Sequence, residues 1–160
     1  MNCVEVFDSA AKYLFRFGDS KGEGKMTLSI GLAICGNRIL ISQTENCILN
    51  YELDGDFISK IGKYGTGKLE FRYPFGLSIS ESNEDIYICD FSNNKVQILS
   101  KDFHFKYQFG RDLLNHPRDV KLIKDYSYII DVDRYNLVFI SLIKISFYRR
   151  LLYLEEKECK

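Results

Sequence analysis

The stretch FRYPFGLSISESNEDIYICDFSNNKVQILSKDFHFKYQFG, residues 71–110, decides the fold of this chain. Its apolar residues fall in short runs rich in Val, Ile, Tyr and Phe, and Gly, Asn, Asp or Pro bounds each run. In IYICD the alternation puts Ile86 and Ile88 on one surface of a sheet and Tyr87 and Cys89 on the other. Such runs predict β-strands separated by turns. We therefore predict four strands in this stretch and no sustained helix.

The same pattern recurs along the chain. The segment Val96–Gly110 aligns without gaps with Ile48–Gly62 and with Val4–Gly18, and each copy ends on a glycine. The period is about 46 residues, within the range of one four-stranded propeller blade. Turn residues agree with this layout, since Asn93 and Asn94 tolerate a positive φ and Asp54-Gly55 suits a hairpin. The repeat predicts an all-β protein built from antiparallel four-stranded blades.

The order F-x-x-P-x-G-L-x-I, D-I-Y-I-C-D, S-N-N-K-V-Q-I-L and a closing strand ending in Phe-Gly resembles the NHL repeat, the blade of a family of mostly six-bladed β-propellers. The resemblance therefore implies propeller blades. The residues on motif positions are Pro74, Gly76, Asp90, Asn93, Asn94, Gly18, Gly62 and Gly110.

The repeat divides the chain into unequal units. Residues 1–18 align with the outer half of a leading blade, residues 26–62 and 71–110 with two blades, and residues 115–150 with a degenerate partial blade. Residues 151–160 are expected to be a charged tail. About three and a half blades do not close a ring, because closed propellers have at least four. We expect an incomplete ring that needs missing blades or a second chain, and we interpret the chain as a piece of a larger protein or one that finds a partner.

Composition limits the function classes. The chain has 160 residues, with 22 Lys plus Arg against 22 Asp plus Glu, so its net charge is zero. This balance argues against nucleic-acid binding through bulk positive charge. Five cysteines without a C-x-x-C pair suggest reduced thiols and a cytoplasmic protein. The apolar run 137–148 is too short for a membrane span, so no membrane association is expected.

No pattern of catalytic residues emerges. His104 and His116 are too few for a metal site, and residues 62–68 lack the G-x-x-x-x-G-K-[ST] order of a phosphate-binding loop. We expect no enzyme activity, no cofactor and no bound metal. An amidating lyase shares the NHL propeller, so a fragment of a propeller lyase stays as an alternative.

The loops that join the blades form the expected binding face. Aromatic and basic residues gather there and are the candidate binding residues, namely Lys63, Tyr64, Lys68, Arg72, Tyr73, Arg111, His116 and Arg118. A protein partner is the expected ligand. RNA is the alternative, because such surfaces stack bases and contact phosphates and the resemblance extends to propellers that bind RNA. The resemblance also implies a substrate-selecting role in a ubiquitin ligase, whose catalytic segments are not in these 160 residues.

Overall fold

A computed structural model describes residues 2–123 and 126–132 and two further strands, Val138–Lys144 and Leu154–Glu156. The described residues form antiparallel β-sheets, with one short parallel pair and one three-residue 3₁₀ turn at Phe91–Asn93. The predicted all-β fold of four-stranded antiparallel blades is therefore confirmed.

The first half of the chain forms a hairpin and one complete sheet. The hairpin strands are β1 (Val4–Phe7) and β2 (Tyr13–Phe17). Sheet I contains, from its innermost to its outermost strand, β3 (Ser29–Cys35), β4 (Arg38–Gln43), β5 (Cys47–Glu52) and β6 (Phe57–Ile61). Consecutive strands pair throughout, which is the up-and-down order of a propeller blade.

The second half repeats this arrangement. A short parallel pair, β7 (Lys63–Tyr64) and β8 (Glu70–Phe71), lies in the connection after sheet I. Sheet II contains β9 (Pro74–Ile79), β10 (Ile86–Asp90), β11 (Lys95–Leu99) and β12 (Phe105–Phe109). Sheet III contains β13 (Asp119–Ile123), β14 (Tyr126–Val132), β15 (Val138–Lys144) and β16 (Leu154–Glu156). Sheet III thus extends into residues 151–160, where the sequence predicts only a charged tail, because β16 pairs with β15 through Ser141, Leu142 and Ile143.

Apolar side chains fill the spaces between successive sheets. Ile86 and Ile88 of β10 pack toward sheet I, and Tyr87 and Cys89 of the same strand pack toward sheet III. This is the two-sided burial that the alternation in IYICD predicts. The hairpin β1–β2 packs through Phe17 on the opposite face of sheet I. Each sheet is therefore held by its neighbours rather than by a core of its own.

One glycine position closes each blade. Gly18, Gly62 and Gly110 follow the last strands of successive units and have φ angles of 90°, 87° and 98°. A buried apolar side chain of the following connection lies against each glycine, namely Met26, Phe71 and Leu114. A Cβ at any of the three positions would collide with that side chain. The repeat therefore requires glycine at its last position for two reasons. The backbone there has a positive φ, and a buried side chain leaves no room for a Cβ.

Within the described part of the chain, no helix has the length and apolar character needed to cross a membrane.

Tyr51 provides a test of how the hairpin and sheet I are joined. Its side chain is 1% exposed, its ring lies against Phe17 and Phe57, and its hydroxyl donates to the Gly24 carbonyl. Burial raises the pKa of Tyr51 from 10 to about 12. Because this pKa is raised in the folded protein, the contribution of Tyr51 to stability is complete below pH 10 and disappears as the pH rises through 12.

Tyr51→Phe removes both the hydrogen bond and the titration. We expect the variant to lose about 1 kcal/mol at neutral pH. Urea unfolding between pH 9 and pH 12 should then show a steeper loss of stability in the wild type than in the variant. Parallel pH profiles for the two proteins would contradict the burial of this hydroxyl.

Candidate binding surface

The connection between sheets I and II carries five of the candidate residues, and its exposed part is basic and aromatic. Lys63 is 77% exposed and its Nζ lies 3.5 Å from Oε1 of Glu70. Tyr64 is 63% exposed, and the guanidinium of Arg72 lies 5.0 Å from the centre of its ring. The ammonium of Lys68 lies 5.3 Å from the centre of the Phe105 ring. These side chains form one surface over the joining loop 63–73, which we call the loop surface.

A buried polar network fixes this loop from below. The Nζ of Lys95, whose side chain is fully buried, donates to the carbonyls of Thr66 at 2.9 Å and Gly67 at 3.3 Å. Gln97 donates to the carbonyl of Glu70 at 2.7 Å and accepts from the N–H of Leu69 at 3.1 Å. The side-chain amide of Asn93 donates to the carbonyl of Gly65 at 2.8 Å. Side chains of sheet II and of its turn at Asn93 therefore bond to the backbone of five loop residues, namely Gly65, Thr66, Gly67, Leu69 and Glu70.

Asp90 is the charged centre of the network. Its Oδ2 accepts from Asn93 at 2.8 Å and from Gln97 at 3.0 Å, and it lies 3.7 Å from Nζ of Lys95. Burial raises the pKa of Asp90, and its hydrogen bonds and Lys95 oppose that rise. Burial likewise lowers the pKa of Lys95, against the attraction of Asp90. Burial thus disfavours the charged form of both residues, and each charge opposes that effect on the other.

Each of the three four-stranded sheets makes a hydrogen bond equivalent to the one from the loop to Asp90. Oδ1 of Asp90 accepts from the N–H of Arg72 at 2.8 Å, and Asp131 accepts from the N–H of Asn115. In sheet I, Gln43 holds the same position, and its Oε1 accepts from the N–H of Thr27 at 3.0 Å. The longer side chain of Gln43 makes the bond that aspartate makes in the other two units.

A second repeated hydrogen bond joins each sheet to the next loop. Oδ1 of Asn46 accepts from the N–H of Tyr73, and Oδ1 of Asn94 accepts from the N–H of His116, both at 3.0 Å. Tyr73 and His116 each precede a proline, and their φ angles are 53° and 64°. The turn asparagines also have positive φ angles, 66° and 53°. The backbone N–H groups of two candidate residues, Tyr73 and His116, are thus held by hydrogen bonds to asparagine side chains of the preceding sheet.

The candidates from the second joining loop form a separate group around Phe91. The His116 ring centre lies 4.7 Å from that of Phe91, and the guanidinium of Arg118 lies 5.9 Å from it. Phe75 stacks on Phe91 at 4.5 Å. Arg111 instead donates to the Thr66 carbonyl of the first loop at 3.4 Å. The N–H of Phe91 donates to the carbonyl of Tyr73 at 3.3 Å. The structure therefore brings the eight candidates into two groups, which Arg111 and Tyr73 link.

Several important residues are not among the sequence candidates. Phe91, Lys95, Gln97 and Glu70 lie in or beside strands and carry no recognised motif role. Glu70 accepts from the N–H groups of Thr66 and Gly67 at 3.2 and 3.0 Å, and the Gly67 bond, assisted by Lys63, lowers the pKa of Glu70. The sequence signal for this network is the presence of Lys95 in the apolar strand KVQIL. A buried lysine requires polar partners, so its position there indicates a polar network. Among the described residues, no group of three or more His, Cys, Asp or Glu side chains has the arrangement of a metal site.

Comparison with known proteins identifies the family. A family model described as a 6-bladed beta-propeller matches residues 27–148. The chain belongs to this family of 6-bladed beta-propellers. The match covers sheets I and II and most of the third unit, and it agrees with the NHL-type repeat in the sequence.

Individual relatives agree on the fold. The chain is 34% identical over 80 residues to Protein brain tumor of Drosophila melanogaster, which is 47% of this chain and 8% of that protein. A streptogramin B lyase structure superposes with a TM-score of 0.68 at 16% identity, over 98% of this chain and 48% of the lyase. Hydrazine synthase of Kuenenia stuttgartiensis superposes with a TM-score of 0.67 at 14% identity, over 88% of this chain and 39% of that chain. The chain spans less than half the length of each of these proteins, and the two structural likenesses show the fold alone.

The buried network predicts a strong energetic coupling between Asp90 and Lys95. We expect Lys95→Met to destabilise the protein by about 3–5 kcal/mol, because it leaves a buried carboxylate and two loop carbonyls without their partner. Asp90→Asn should cost a similar amount. The double variant should cost less than the sum by about 1–3 kcal/mol, since each partner is damaging mainly when it remains alone.

Chemical unfolding of the four proteins measures this coupling. Lys63→Met is the matched control, because Lys63 also pairs with a carboxylate but is exposed, and its loss should cost at most about 0.5 kcal/mol. A Lys95→Met variant as stable as Lys63→Met would show that the buried pair does not hold the loop.

Proposed function

We propose that the chain is a non-enzymatic interaction module that binds a protein partner through the loop surface. The observation that carries this proposal is a loop fixed by buried side chains that exposes Tyr64 at 63% and Tyr73 at 50%. Tyrosine and arginine are enriched among the residues that contribute most to protein interfaces. A loop that is already ordered loses little conformational entropy when a partner binds.

The roles of the ionisable residues support a non-catalytic function. The side chains of Asp90 and Lys95 are fully buried and bond to the loop backbone and to each other. Glu70 accepts from two loop amides. A general acid or base must reach its substrate within hydrogen-bonding distance. These groups instead act within the fold, so they support a structural role for the network and a binding role for the surface above it.

The arrangement of the cations favours protein over RNA as the ligand. Lys63 lies beside Glu70, Arg72 lies over Tyr64, and Arg111 donates to a carbonyl. Each of these cations already contacts a group of the chain, although the buried Nε of Arg72 has no hydrogen-bond partner among the described residues. Nucleic-acid binding depends on cations that neutralise phosphates. RNA binding remains the alternative, because the exposed ring of Tyr64 beside Arg72 could stack on a base.

The wider context of the module is part of the same proposal. We infer that the module serves as the recognition part of a longer protein, with a ubiquitin ligase as one such setting in which the transfer activity lies in other segments. A reducing, cytoplasmic environment fits the buried thiols of Cys35, Cys47 and Cys89, which are free.

Substitution of the two exposed tyrosines tests the protein-binding function. Proteins captured from an extract of the source cells are identified by mass spectrometry, and the purified candidate is titrated by calorimetry. The double variant Tyr64→Ser/Tyr73→Ser should weaken its binding at least about 10-fold, because both rings leave the interface. Tyr13→Ser is the control, since Tyr13 is 50% exposed on the hairpin, away from this surface, and its loss should leave the affinity unchanged.

The RNA alternative requires its own measurement. Filter binding with a random RNA pool compares the wild type with a variant in which Lys63, Lys68 and Arg72 are changed to Glu. The proposal predicts no salt-sensitive RNA binding by the wild type. Tight RNA binding that the triple variant loses, together with a partner affinity unaffected by the tyrosine substitutions, would overturn it.

A further inference from the structure

Two of the five arginines in the described residues have no acceptor for their guanidinium groups. The other three are engaged by a carboxylate or a backbone carbonyl, namely Arg16, Arg38 and Arg111. The guanidinium groups of Arg72 and Arg118 donate to no acceptor in the part of the chain that the structure describes, and the Nε of Arg72 is buried. A guanidinium carries five N–H donors and forms its strongest pairs with planar anions. These two arginines therefore have donors left for a ligand.

Both guanidinium groups are held on aromatic rings. That of Arg72 lies 5.0 Å from the centre of the Tyr64 ring, and that of Arg118 lies 5.9 Å from the centre of the Phe91 ring. Phe91 is itself held, because Phe75 stacks on it. Stacking limits the rotation of a long side chain before a ligand arrives, so less entropy is lost on binding. The two planar groups are thus ordered without a ligand.

The backbone of each arginine is bonded through both its N–H and its carbonyl. The carbonyl of Arg72 accepts from the N–H of Ser92 at 3.0 Å, and its N–H belongs to the buried network described above. The N–H of Arg118 donates to the Ile130 carbonyl and its carbonyl accepts from the Gly76 N–H, both at 2.8 Å. Both side chains therefore start from fixed points of the blades.

One short turn joins the two arginines. In the 3₁₀ turn after β10, the N–H of Ser92 bonds to Arg72 and the N–H of Phe91 bonds to the carbonyl of Tyr73. The ring of the same Phe91 carries the guanidinium of Arg118. Tyr73, which is half-exposed, follows Arg72 directly. The two guanidinium groups therefore border the same turn, with an exposed aromatic side chain of the loop surface beside it.

We propose that Arg72 and Arg118 bind two carboxylates of an acidic segment in the protein partner. The inference rests on the proposed protein-binding function and adds the chemistry of the ligand to it. A carboxylate offers two coplanar oxygens, which match two N–H donors of a guanidinium. The exposed tyrosines provide contact area, and the two arginines select segments in which glutamate or aspartate recurs at the spacing of the two guanidinium groups.

The charges around the two arginines favour a carboxylate segment over an RNA strand. Recognition of a strand requires a groove of cations that follows the phosphates. Here Glu70 lies 3.5 Å from Lys63, and Asp112 is exposed in the second joining loop. These acidic groups interrupt a path of cations, whereas two separate guanidinium groups suffice for two carboxylates.

Fluorescence anisotropy with labelled peptides tests the inference. The peptides carry two glutamates at varied spacing in a background of serine and glycine, and matched peptides carry glutamine in place of one or both glutamates. We expect one spacing to bind most tightly to the 160-residue chain. Replacing either glutamate of that peptide by glutamine should weaken the binding about 10-fold or more, because a charge-assisted pair is lost.

Substitution of each arginine assigns the two glutamates. In Arg72→Gln, one of the two peptide positions should accept glutamine without further loss of affinity, and in Arg118→Gln the other position should do so. Arg72→Lys should weaken binding about as much as Arg72→Gln, because an ammonium keeps the charge but not the pair of parallel donors. Circular dichroism and urea unfolding check that each variant is folded, and the comparison of peptides on the wild type needs no variant.

Arg38→Gln is the matched control. Arg38 also stacks on an aromatic ring, since its guanidinium lies 5.0 Å from the centre of the Phe103 ring. It differs in donating to the Lys101 carbonyl at 2.7 Å, and it begins β4 at the end opposite to Gln43 and the joining loop. Its loss should leave the affinity for the glutamate peptides unchanged.

Failure of this inference differs from failure of the proposed function. Glutamate peptides that bind no better than glutamine peptides at any spacing, or a preference that Arg72→Gln and Arg118→Gln leave intact, would overturn the inference. A single-stranded RNA that binds in their place, and that the same substitutions release, would make phosphate the ligand and overturn it as well. The effect of the Tyr64 and Tyr73 substitutions on the captured partner tests the protein-binding function separately.

Discussion

The hydrogen bond from a joining-loop N–H to a side chain near the end of the second strand is the constraint on which this structure depends. It occurs in all three units, with Gln43, Asp90 and Asp131 as acceptors for Thr27, Arg72 and Asn115. A loop N–H that is buried without a partner would cost about 1–3 kcal/mol. The acceptor therefore fixes where the chain enters each new sheet, two residues before Pro74 and Pro117. The start of the inner strand, the loop above it and the contact with the next sheet all follow from that fixed point.

In sheet II this hydrogen bond extends into a larger polar network with a functional consequence. A buried ion pair such as Asp90 and Lys95 adds little net stability, because both charges lose their hydration. Its effect here is positional, since Lys95, Gln97 and Asn93 bond to loop groups that no strand partner satisfies. These bonds order the loop together with the packing of Leu69 and Phe71 into the core, and the side chains of Lys63, Tyr64 and Tyr73 remain outside. The proposed binding surface is thus a result of burying polar residues beneath it.

The sequence predicts the fold more fully than it predicts the site, for a physical reason. Strand alternation, turn residues and the closing glycines are local signals, so the blades and the roles of Gly18, Gly62 and Gly110 can be derived from the chain alone. The eight candidate residues can be found by loop position, but their division into a Tyr64 group and a Phe91 group depends on contacts between units. Phe91 follows Asp90 in a short 3₁₀ turn, and only the fold brings it to His116 and Arg118. The lysine in the apolar strand KVQIL signals a buried polar group, but the sequence does not show its partners, which come from a loop about thirty residues earlier.

Native-state amide hydrogen exchange tests the central hydrogen bond most directly. The account predicts that the N–H groups of Thr27, Arg72 and Asn115 exchange slowly, with protection close to that of core strand amides such as that of Ile88. In Asp90→Ala, the Arg72 amide should lose that protection while the Thr27 amide, bonded to Gln43, keeps it. Exchange of the three amides in the wild type at the rate of an open loop would contradict the account.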